Sequence, residues 1–368
     1  MLSIKYGLRF LMVFYILYMH VKHKTRGADC VKMTVQALWE YMQVSRTWDA
    51  PDLLVLGHAA PDADALVSAL FEAWRRYLAE GTKAVSVMQA HSVPREVAEL
   101  LGDVVALLPT QEDLARWPQV PLVLTDHSHA PDKQDRVVAV IDHHRPQPGV
   151  DLSLVETCIQ PVGATTTLIA LRLREQGMQP DRDVARMLLG AILLDTEGLS
   201  PTKTKPEDTQ AVTWLCERAA MQPDAYFPLL REALLSETEP SVLYRRDYRQ
   251  YTDAQGAPVL GFAILKVWED TVPDIQAVRA LLQQDVAAGW PVCVAKISSY
   301  TAAGPQEEHY LAAGAEQLVE TVLETVCAVA GPLAQRRAAD WVFLPAEAGR
   351  PGRKTLYPRL LERLAEKK

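Results

Sequence analysis

The chain has 368 residues, of which 49% are hydrophobic and 23% charged, with no low-complexity tract, so it is typical of a globular protein and long enough for two domains. Its formal charge of -8 argues against nucleic acid or an anionic membrane surface as the principal partner. A phosphate substrate stays compatible with that charge, because bound divalent cations reverse the local sign of a site. The five cysteines are scattered and form no CxxC pair, which favours a reducing, cytoplasmic location over a disulfide framework or a structural zinc site.

Residues 1–32 form an apolar and basic extension. Its apolar run, within GLRFLMVFYILYMHVKHK, is roughly a dozen residues long, whereas a membrane-spanning helix needs roughly 20. Three interpretations stay open: an upstream extension without function, a membrane-proximal anchor, or a core helix. Apart from such an anchor, no stable membrane association is expected. Met33 opens MTVQALWEYM, which is predicted to be the first amphipathic helix.

From residue 52 onward, short apolar runs alternate with helical stretches. Strands are predicted at DLLVLGH (52–58), AVSVMQA (84–90), VPLVLTDHS (120–128) and RVVAVIDHH (136–144). Helices are predicted over 64–78, 94–101, 162–177, 183–198 and 208–220. Gly177 is expected to follow the end of one helix, and Thr204 with Glu207 is expected to form a capping box at the start of another.

A second unit follows a predicted linker over residues 221–242. It contains predicted strands over 257–269 and 290–300 and predicted helices over 274–289 and 315–331. The fold class is therefore α/β: an N-terminal domain (33–220) with a mostly parallel sheet flanked by helices, plus a smaller C-terminal α/β domain (243–368). Parallel sheets bind ligands beyond the carboxyl ends of their strands.

Four segments place acids and imidazoles at such positions. They are GHAAPDAD with His58, Asp62 and Asp64; TDHSH with Asp126, His127 and His129; IDHH with Asp142, His143 and His144; and LLDT with Asp195. Each segment alone has an ordinary explanation, such as acids at a helix N-terminus or residues of a solvated turn. Their convergence on one edge of the sheet favours a metal site.

Carboxylates and imidazoles without a thiolate suit Mn²⁺, Fe²⁺, Co²⁺ or Zn²⁺ better than Ca²⁺. Several carboxylates favour two cations over one. Two cations roughly 3.5–4 Å apart acidify a bridging water and stabilise the oxygens of a phosphoryl transition state. The residues alone therefore predict metal-assisted hydrolysis of a phosphate bond.

The four segments, in this order, resemble the four motifs of the DHH phosphoesterase superfamily, and QPVGATTTLIA resembles the corresponding segment of family II, manganese-dependent inorganic pyrophosphatases. The resemblance implies that His58 and Asp62 hold one Mn²⁺ ion, that Asp64, His143 and Asp195 hold the other, and that Asp126 bridges them. It implies that His144 lies beside the phosphate as a donor and that Asp142 orients an imidazole. Co²⁺ or Mg²⁺ are the implied substitutes, and Mg²⁺ also accompanies the substrate.

In the C-terminal half, GRKTLYP resembles the phosphate-binding segment of the second type of DHH-associated domain, which pyrophosphatases and exopolyphosphatases carry. The resemblance implies that Arg353 and Lys354 bind the distal phosphate, with Arg350 as an alternative. RRDYRQY resembles a further conserved stretch of that domain, so Arg249 is a fourth candidate contact. HYLAAG, beginning at His309, instead resembles part of the domain found in nucleotide-cleaving relatives, but the glycines expected before it are absent.

Two departures bear on the substrate. TDHSH replaces the pattern usual in pyrophosphatases, and Glu197 and Leu199 follow Asp195 where those enzymes tend to carry apolar and basic residues. The favoured function is hydrolysis of pyrophosphate to two phosphates by a hydroxide that bridges two metals. Exopolyphosphatase activity on short chains is the main alternative, followed by a nucleotide phosphodiesterase or a non-catalytic regulatory protein. The expected partner is a small phosphate substrate and not nucleic acid, and a homodimer is compatible with the sequence.

Overall fold

The computed structural model describes residues 31–90, 93–146, 150–253, 255–301 and 304–365. The predictions for residues 1–30 lie outside these ranges. In the order of the chain, the strands are β1 (Val31–Met33), β2 (Leu53–Leu56), β3 (Ala84–Val87), β4 (Leu122–Thr125), β5 (Val137–Asp142), β6 (Glu156–Ile159), β7 (Met178–Pro180), β8 (Tyr248–Thr252), β9 (Pro258–Trp268), β10 (Val292–Thr301), β11 (Gly304–Gly314), β12 (Gln335–Ala338) and β13 (Trp341–Leu344).

The helices are α1 (Val35–Ser45), α2 (Ala63–Glu80), α3 (Arg95–Leu101), α4 (Gln111–Leu114), α5 (Thr165–Glu175), α6 (Arg182–Asp195), α7 (Pro206–Ala219), α8 (Pro223–Leu235), α9 (Pro240–Arg246), α10 (Ile275–Ala287), α11 (Glu316–Ala330) and α12 (Arg353–Ala365). Within the described ranges, none of these helices combines the length and the apolar character that crossing a bilayer requires. The cytoplasmic location stays a prediction.

The N-terminal domain is built on a five-stranded sheet with the order β3-β2-β4-β5-β6, in which every neighbouring pair is parallel. Strands β3 and β4 are buried along their whole length, as expected for a parallel sheet covered by helices. Helix α2 packs on this sheet through Leu66, Leu70 and Trp74, each at most 2% exposed. Burying such a side chain stabilises the fold by roughly 1.5–3 kcal/mol. The predicted α/β fold of this domain is confirmed.

The C-terminal domain is built on a six-stranded sheet with the order β12-β13-β11-β10-β9-β8. Strands β9 and β10 are parallel, and the other neighbours are antiparallel. Apolar clusters lie on this sheet apart from the N-terminal core. The predicted linker 221–242 is largely helical, and Tyr226 and Leu230 of α8 pack into the N-terminal core.

The predicted first helix is present but begins two residues later than Met33, and one other local prediction was wrong. Residues 31–33 form a strand parallel to β7, so the first helix begins at Val35, after Thr34 accepts a hydrogen bond from Ala37 N. Helix α7 does not begin with a Thr204–Glu207 capping box. Instead Lys205 is the N-cap, and Asp208 accepts its backbone N–H at 2.8 Å. The expectation that Gly177 follows the end of α5 is confirmed by its left-handed φ of 68°.

Candidate metal centre

Three of the four predicted segments lie at the carboxyl ends of adjacent strands. His58 follows β2, Asp126 follows β4, and His143 follows β5, in the sheet order β2-β4-β5. Gly57 lets the chain pass close to α2, because a Cβ there would lie 2.5 Å from the carbonyl oxygen of Ala65. The fourth segment reaches the same place from a helix, since Asp195 is the last residue of α6.

Asp62 has two roles at the start of α2. One carboxylate oxygen accepts the backbone N–H of Ala65 at 3.0 Å, which caps the helix. The other lies 3.7 Å from His58 Nε2, in the half-exposed part of the site. Asp62 therefore both caps the helix and belongs to the cluster.

Asp126 lies at the centre of the cluster. Its Oδ2 is 3.1 Å from His58 Nε2, and its Oδ1 is 3.3 Å from His143 Nε2. Thr165 Oγ1 donates to the same Oδ1 at 3.1 Å. The backbone of Asp126 adopts a φ of 64°, which is uncommon for a residue with a side chain. The fold thus directs both oxygens of one buried carboxylate toward two different imidazoles.

Asp64 and His143 are oriented by backbone groups. The carboxylate of Asp64 accepts the N–H groups of Thr165 and Thr166, both at 2.7 Å, at the N-terminus of α5. His143 Nδ1 lies 3.0 Å from the carbonyl oxygen of Val162, to which it donates. This bond leaves His143 Nε2 free to face the cluster, where it lies 3.4 Å from Asp195 Oδ2.

A buried aspartate that no sequence motif indicated supports the loop between β6 and α5. Asp208 accepts the backbone N–H of Gly163 at 2.7 Å and the hydroxyl of Thr167 at 2.6 Å. A Cβ on Gly163 would lie 2.7 Å from the same carboxylate, so the loop needs glycine there. The loop that orients His143 is therefore fixed by a residue on a distant helix.

His144 is the most exposed of the imidazoles in the IDHH segment. Asp142 Oδ1 accepts its backbone N–H at 2.9 Å and lies 3.0 Å from its Nδ1. Nδ1 is therefore the protonated donor, and Nε2 is left for a ligand. This geometry fits the role predicted for Asp142, which is to orient an imidazole. His127 lies outside the cluster: its Nδ1 lies 2.9 Å from the carbonyl oxygen of Thr125.

The protonation of the cluster reflects its excess of carboxylates. Burial would raise the pKa of Asp126, but the imidazoles of His143 and His58 hold that pKa well below its usual range. Burial would lower the pKa of His143, but the carboxylates of Asp126 and Asp195 raise it to about 10. Burial and the nearby Asp126 raise the pKa of Asp64 well above its usual range. In the absence of a cation, protons on His143 and Asp64 therefore offset part of the negative charge of the carboxylates, and a bound cation would neutralise the same charge.

The ligand atoms form three overlapping groups within 4.8 Å in the described part of the chain: His58, Asp62 and Asp126; Asp64, His143 and Asp195; and Asp126, His143 and His144. The first two correspond to the two predicted ligand sets. They offer only carboxylate oxygens and imidazole nitrogens, a donor set that suits Mn²⁺. The residues present therefore fit a divalent cation.

Arg249 is a cation of the C-terminal domain that contacts this cluster. Its Nη2 lies 3.0 Å from His58 Nε2, and its Nε lies 3.8 Å from the carboxylate of Asp247. Arg249 belongs to β8, so the edge of the C-terminal sheet approaches the ligand groups of the N-terminal domain. A positive charge at this place could bind an anion that also contacts a cation held by these ligand groups.

Two of the other three predicted phosphate contacts, Arg353 and Arg350, have protein partners. Arg353 donates to the carboxylate of Asp247 and, at 3.1 Å, to its carbonyl oxygen, which places it beside the strand of Arg249. Arg350 donates to the carbonyl oxygens of Pro305 and Ala346, at 2.9 and 3.1 Å. Lys354 lies in the first turn of α12, and its side chain lies outside the described residues.

His309 of the HYLAAG segment packs against aromatic rings. Its ring centroid lies 5.7 Å from that of Trp341 and 5.3 Å from that of Phe343. Burial, with Arg337 nearby, lowers the pKa of His309, as expected for an imidazole in an apolar setting. This part of the chain therefore supports the C-terminal sheet.

A second polar contact between the domains was not predicted. Glu197 Oε1 lies 3.0 Å from Lys266 Nζ of β9 and 3.2 Å from Lys203 Nζ. The Lys266 ammonium, helped by Lys203, lowers the pKa of Glu197 to about 2. The sequence singled out Glu197 as a departure, but strand periodicity alone did not indicate its partner.

Comparison with known families agrees with this geometry. Residues 52–194 match the model of the DHH family, N-terminal domain. The match contains five of the six candidate metal ligands, and Asp195 follows it directly.

The chain is also similar to curated proteins of one described activity. Proteins from Streptococcus suis and Shouchella clausii, each described as a probable manganese-dependent inorganic pyrophosphatase, are 30% and 31% identical over 179 and 183 residues. These matches cover 47% and 48% of this chain and 57% and 58% of the relatives. The chain thus matches a little over half the length of these relatives.

Similarity of fold extends further than similarity of sequence. A crystal structure of a Methanococcus jannaschii protein, proposed to be a family II inorganic pyrophosphatase, matches with a TM-score of 0.63 and 21% identity. The match covers 85% of this chain and 99% of that protein. The two-domain fold is therefore shared.

Proposed function

We propose that this chain is a manganese-dependent hydrolase of phosphoanhydride bonds and that inorganic pyrophosphate is its substrate. The observation that carries the proposal is the placement of Asp126 between the group of His58 and Asp62 and the group of Asp64, His143 and Asp195. The relatives described as manganese-dependent pyrophosphatases support the same choice. Two Mn²⁺ ions are proposed, with Co²⁺ or Mg²⁺ as substitutes.

Cations held by these groups would polarise phosphate oxygens and lower the pKa of a bound water. The residues of the chain supply the rest of the chemistry. With both ring nitrogens protonated, His144 is proposed to donate from Nε2 to a phosphate oxygen while its Nδ1 donates to Asp142 at 3.0 Å. Arg249 is proposed to bind the same phosphate, and Arg353 and Lys354 are proposed to bind the distal one.

Short-chain polyphosphate is the second candidate substrate, because its terminal bond has the same chemistry. The segment after Asp195 favours it, since Glu197 and Leu199 depart from the pattern of pyrophosphatases. The cationic groups of the C-terminal domain would then bind further phosphates.

The test is phosphate release with Mn²⁺ from pyrophosphate, tripolyphosphate, long-chain polyphosphate and pApA, measured in parallel. We expect pyrophosphate to be cleaved fastest, with tripolyphosphate next. Cleavage of pApA alone would favour a nucleotide phosphodiesterase and overturn the proposal. Absence of turnover on all four substrates, with Mn²⁺ still bound, would instead favour a regulatory protein.

A further inference from the structure

The contact between the domains beside Asp195 is an ion cluster made of Glu197, Lys203 and Lys266. Both ammonium groups lie within 3.2 Å of the same oxygen, Glu197 Oε1. Lys203 also donates to the carbonyl oxygen of Asp195 at 3.1 Å. The cluster therefore joins a strand of the C-terminal domain to the backbone of a candidate metal ligand.

On the N-terminal side, the fold fixes the position of Glu197. Glu197 and Leu199 adopt φ values of 52° and 65°, which residues with side chains rarely adopt. The turn is closed by backbone hydrogen bonds, from Gly198 N to Leu193 O at 2.8 Å and from Ser200 N to Thr196 O at 2.9 Å. Glu197 thus projects from a well-defined turn only two residues after Asp195.

On the C-terminal side, Lys266 is held by the sheet. It lies in β9, opposite Ser298 of the parallel strand β10, in the interior of the six-stranded sheet. A shift of this sheet relative to α6 would therefore move the Lys266 ammonium away from Glu197. The side chains of the ion cluster are partly exposed, so added salt weakens their attraction.

We propose that Glu197 is a positioning residue. Through Lys203 and Lys266, it couples the position of the C-terminal sheet relative to α6 to the position of the Asp195 carboxylate. The inference rests on the proposed function, because it takes Asp195 as a metal ligand. With the cluster intact, Asp195 Oδ2 lies 3.4 Å from His143 Nε2, and the two can share one cation. Without it, the backbone of Asp195 loses the constraint that comes from the other domain.

The experiment is calorimetric titration of the metal-free protein with Mn²⁺, using Lys266→Met, Lys266→Arg and Glu197→Gln. Removing the charge at either position should raise the Kd of the weaker Mn²⁺ step about fivefold, which is the upper range for a partly exposed ion pair. Lys266→Arg keeps the charge and should stay close to the wild type. Glu320→Gln is the matched control, because it breaks the exposed pair with Arg336 elsewhere in the C-terminal domain.

Salt dependence separates coupling from a general structural effect. In the wild type, KCl should raise the Kd of that step, and in Lys266→Met most of this dependence should be lost. A wild-type Kd with an unchanged salt dependence in both Lys266→Met and Glu197→Gln would overturn the inference while leaving the proposed function in place. A wild-type protein that binds no Mn²⁺ would overturn both. If Lys266→Met does not fold, the Kd for Mn²⁺ and its salt dependence in Glu197→Gln, at a partly exposed side chain, decide the test alone.

Discussion

The two domains present their functional groups in different ways. In the N-terminal domain, backbone groups orient the candidate ligands: Thr165 and Thr166 hold Asp64, and Val162 holds His143. In the C-terminal domain, Arg353 donates to Asp247, a charged side chain with which the proposed substrate phosphate would compete. The N-terminal groups are therefore already held in place, whereas the proposed C-terminal phosphate contacts would have to exchange existing partners for a ligand.

The largest effect is expected from removing the central carboxylate of the N-terminal site, Asp126. Asp126→Ala should abolish nearly all pyrophosphate hydrolysis with Mn²⁺, because both ligand groups lose the acid between them. Phosphate release and Mn²⁺ calorimetry measure the effect, and circular dichroism checks the fold. Asp132→Ala, at an exposed acid, is the control. Near-normal activity in Asp126→Ala would remove the dinuclear assignment.

The next effect tests whether backbone orientation matters. Asp208→Asn should weaken the bonds to Gly163 and Thr167 and release the loop that orients His143. Groups that orient ligands are typically worth 10–100-fold in metal affinity or activity, so a loss of about tenfold in kcat/KM is expected. The free energy of unfolding should fall by about 1–3 kcal/mol. Asp224→Asn, at an exposed acid of α8, should change neither quantity.

A smaller effect is expected from the C-terminal cations. Replacing Arg353 and Lys354 together by Ala should raise the KM for pyrophosphate about tenfold, which corresponds to one charge-assisted hydrogen bond, and change kcat less. Steady-state kinetics at saturating Mn²⁺ measure both constants. An unchanged KM would remove the two residues from the site. Arg350→Ala is the comparison, because its guanidinium binds backbone carbonyls.

The last prediction concerns protons and is measured as a heat of buffer ionisation. Carboxylates raise the pKa of His143 to about 10, so in the metal-free protein its imidazole is protonated at neutral pH. Nε2 must lose its proton to bind a cation, so Mn²⁺ affinity should rise with pH up to about that value. Calorimetry at pH 7 in two buffers of different ionisation enthalpy should detect release of about one proton per His143-bound cation. A heat independent of the buffer would contradict this.

Much of the site could be predicted because its residues follow predictable strands. The ends of β2, β4 and β5 place His58, Asp126 and His143 at one edge of a parallel sheet, and strand periodicity locates those ends. Asp195 followed from the end of a long apolar helix. In these cases the local sequence determines both the type of element and the residue at which it ends.

The remainder depends on contacts between distant parts of the chain. Asp208 looks like an ordinary acid in the first turn of a helix, yet it binds Gly163, 45 positions earlier in the chain. The same carboxylate explains the error at the start of α7, since Asp208 and not Glu207 accepts the backbone N–H of Lys205. No local pattern reports such a partner.

The interior of the C-terminal sheet was only partly predicted for the same reason. Strands β9 and β10 are apolar runs and were recognised, whereas β8 and β11 carry many polar residues and were noticed only as motifs. Lys266 lies within an apolar strand, and its pairing with Glu197 depends on how the two domains meet. Sequence periodicity carries no information on how the two domains contact each other.

The left-handed backbone of Asp126 has a consequence for laboratory evolution. A residue with a side chain costs roughly 1–2 kcal/mol in this conformation, and glycine adopts it freely. Selection for heat resistance alone would therefore tend to favour glycine at position 126, while selection for turnover would retain aspartate. A library scored separately for the two traits would show opposite rankings at this position, and such a conflict marks a site where function opposes stability.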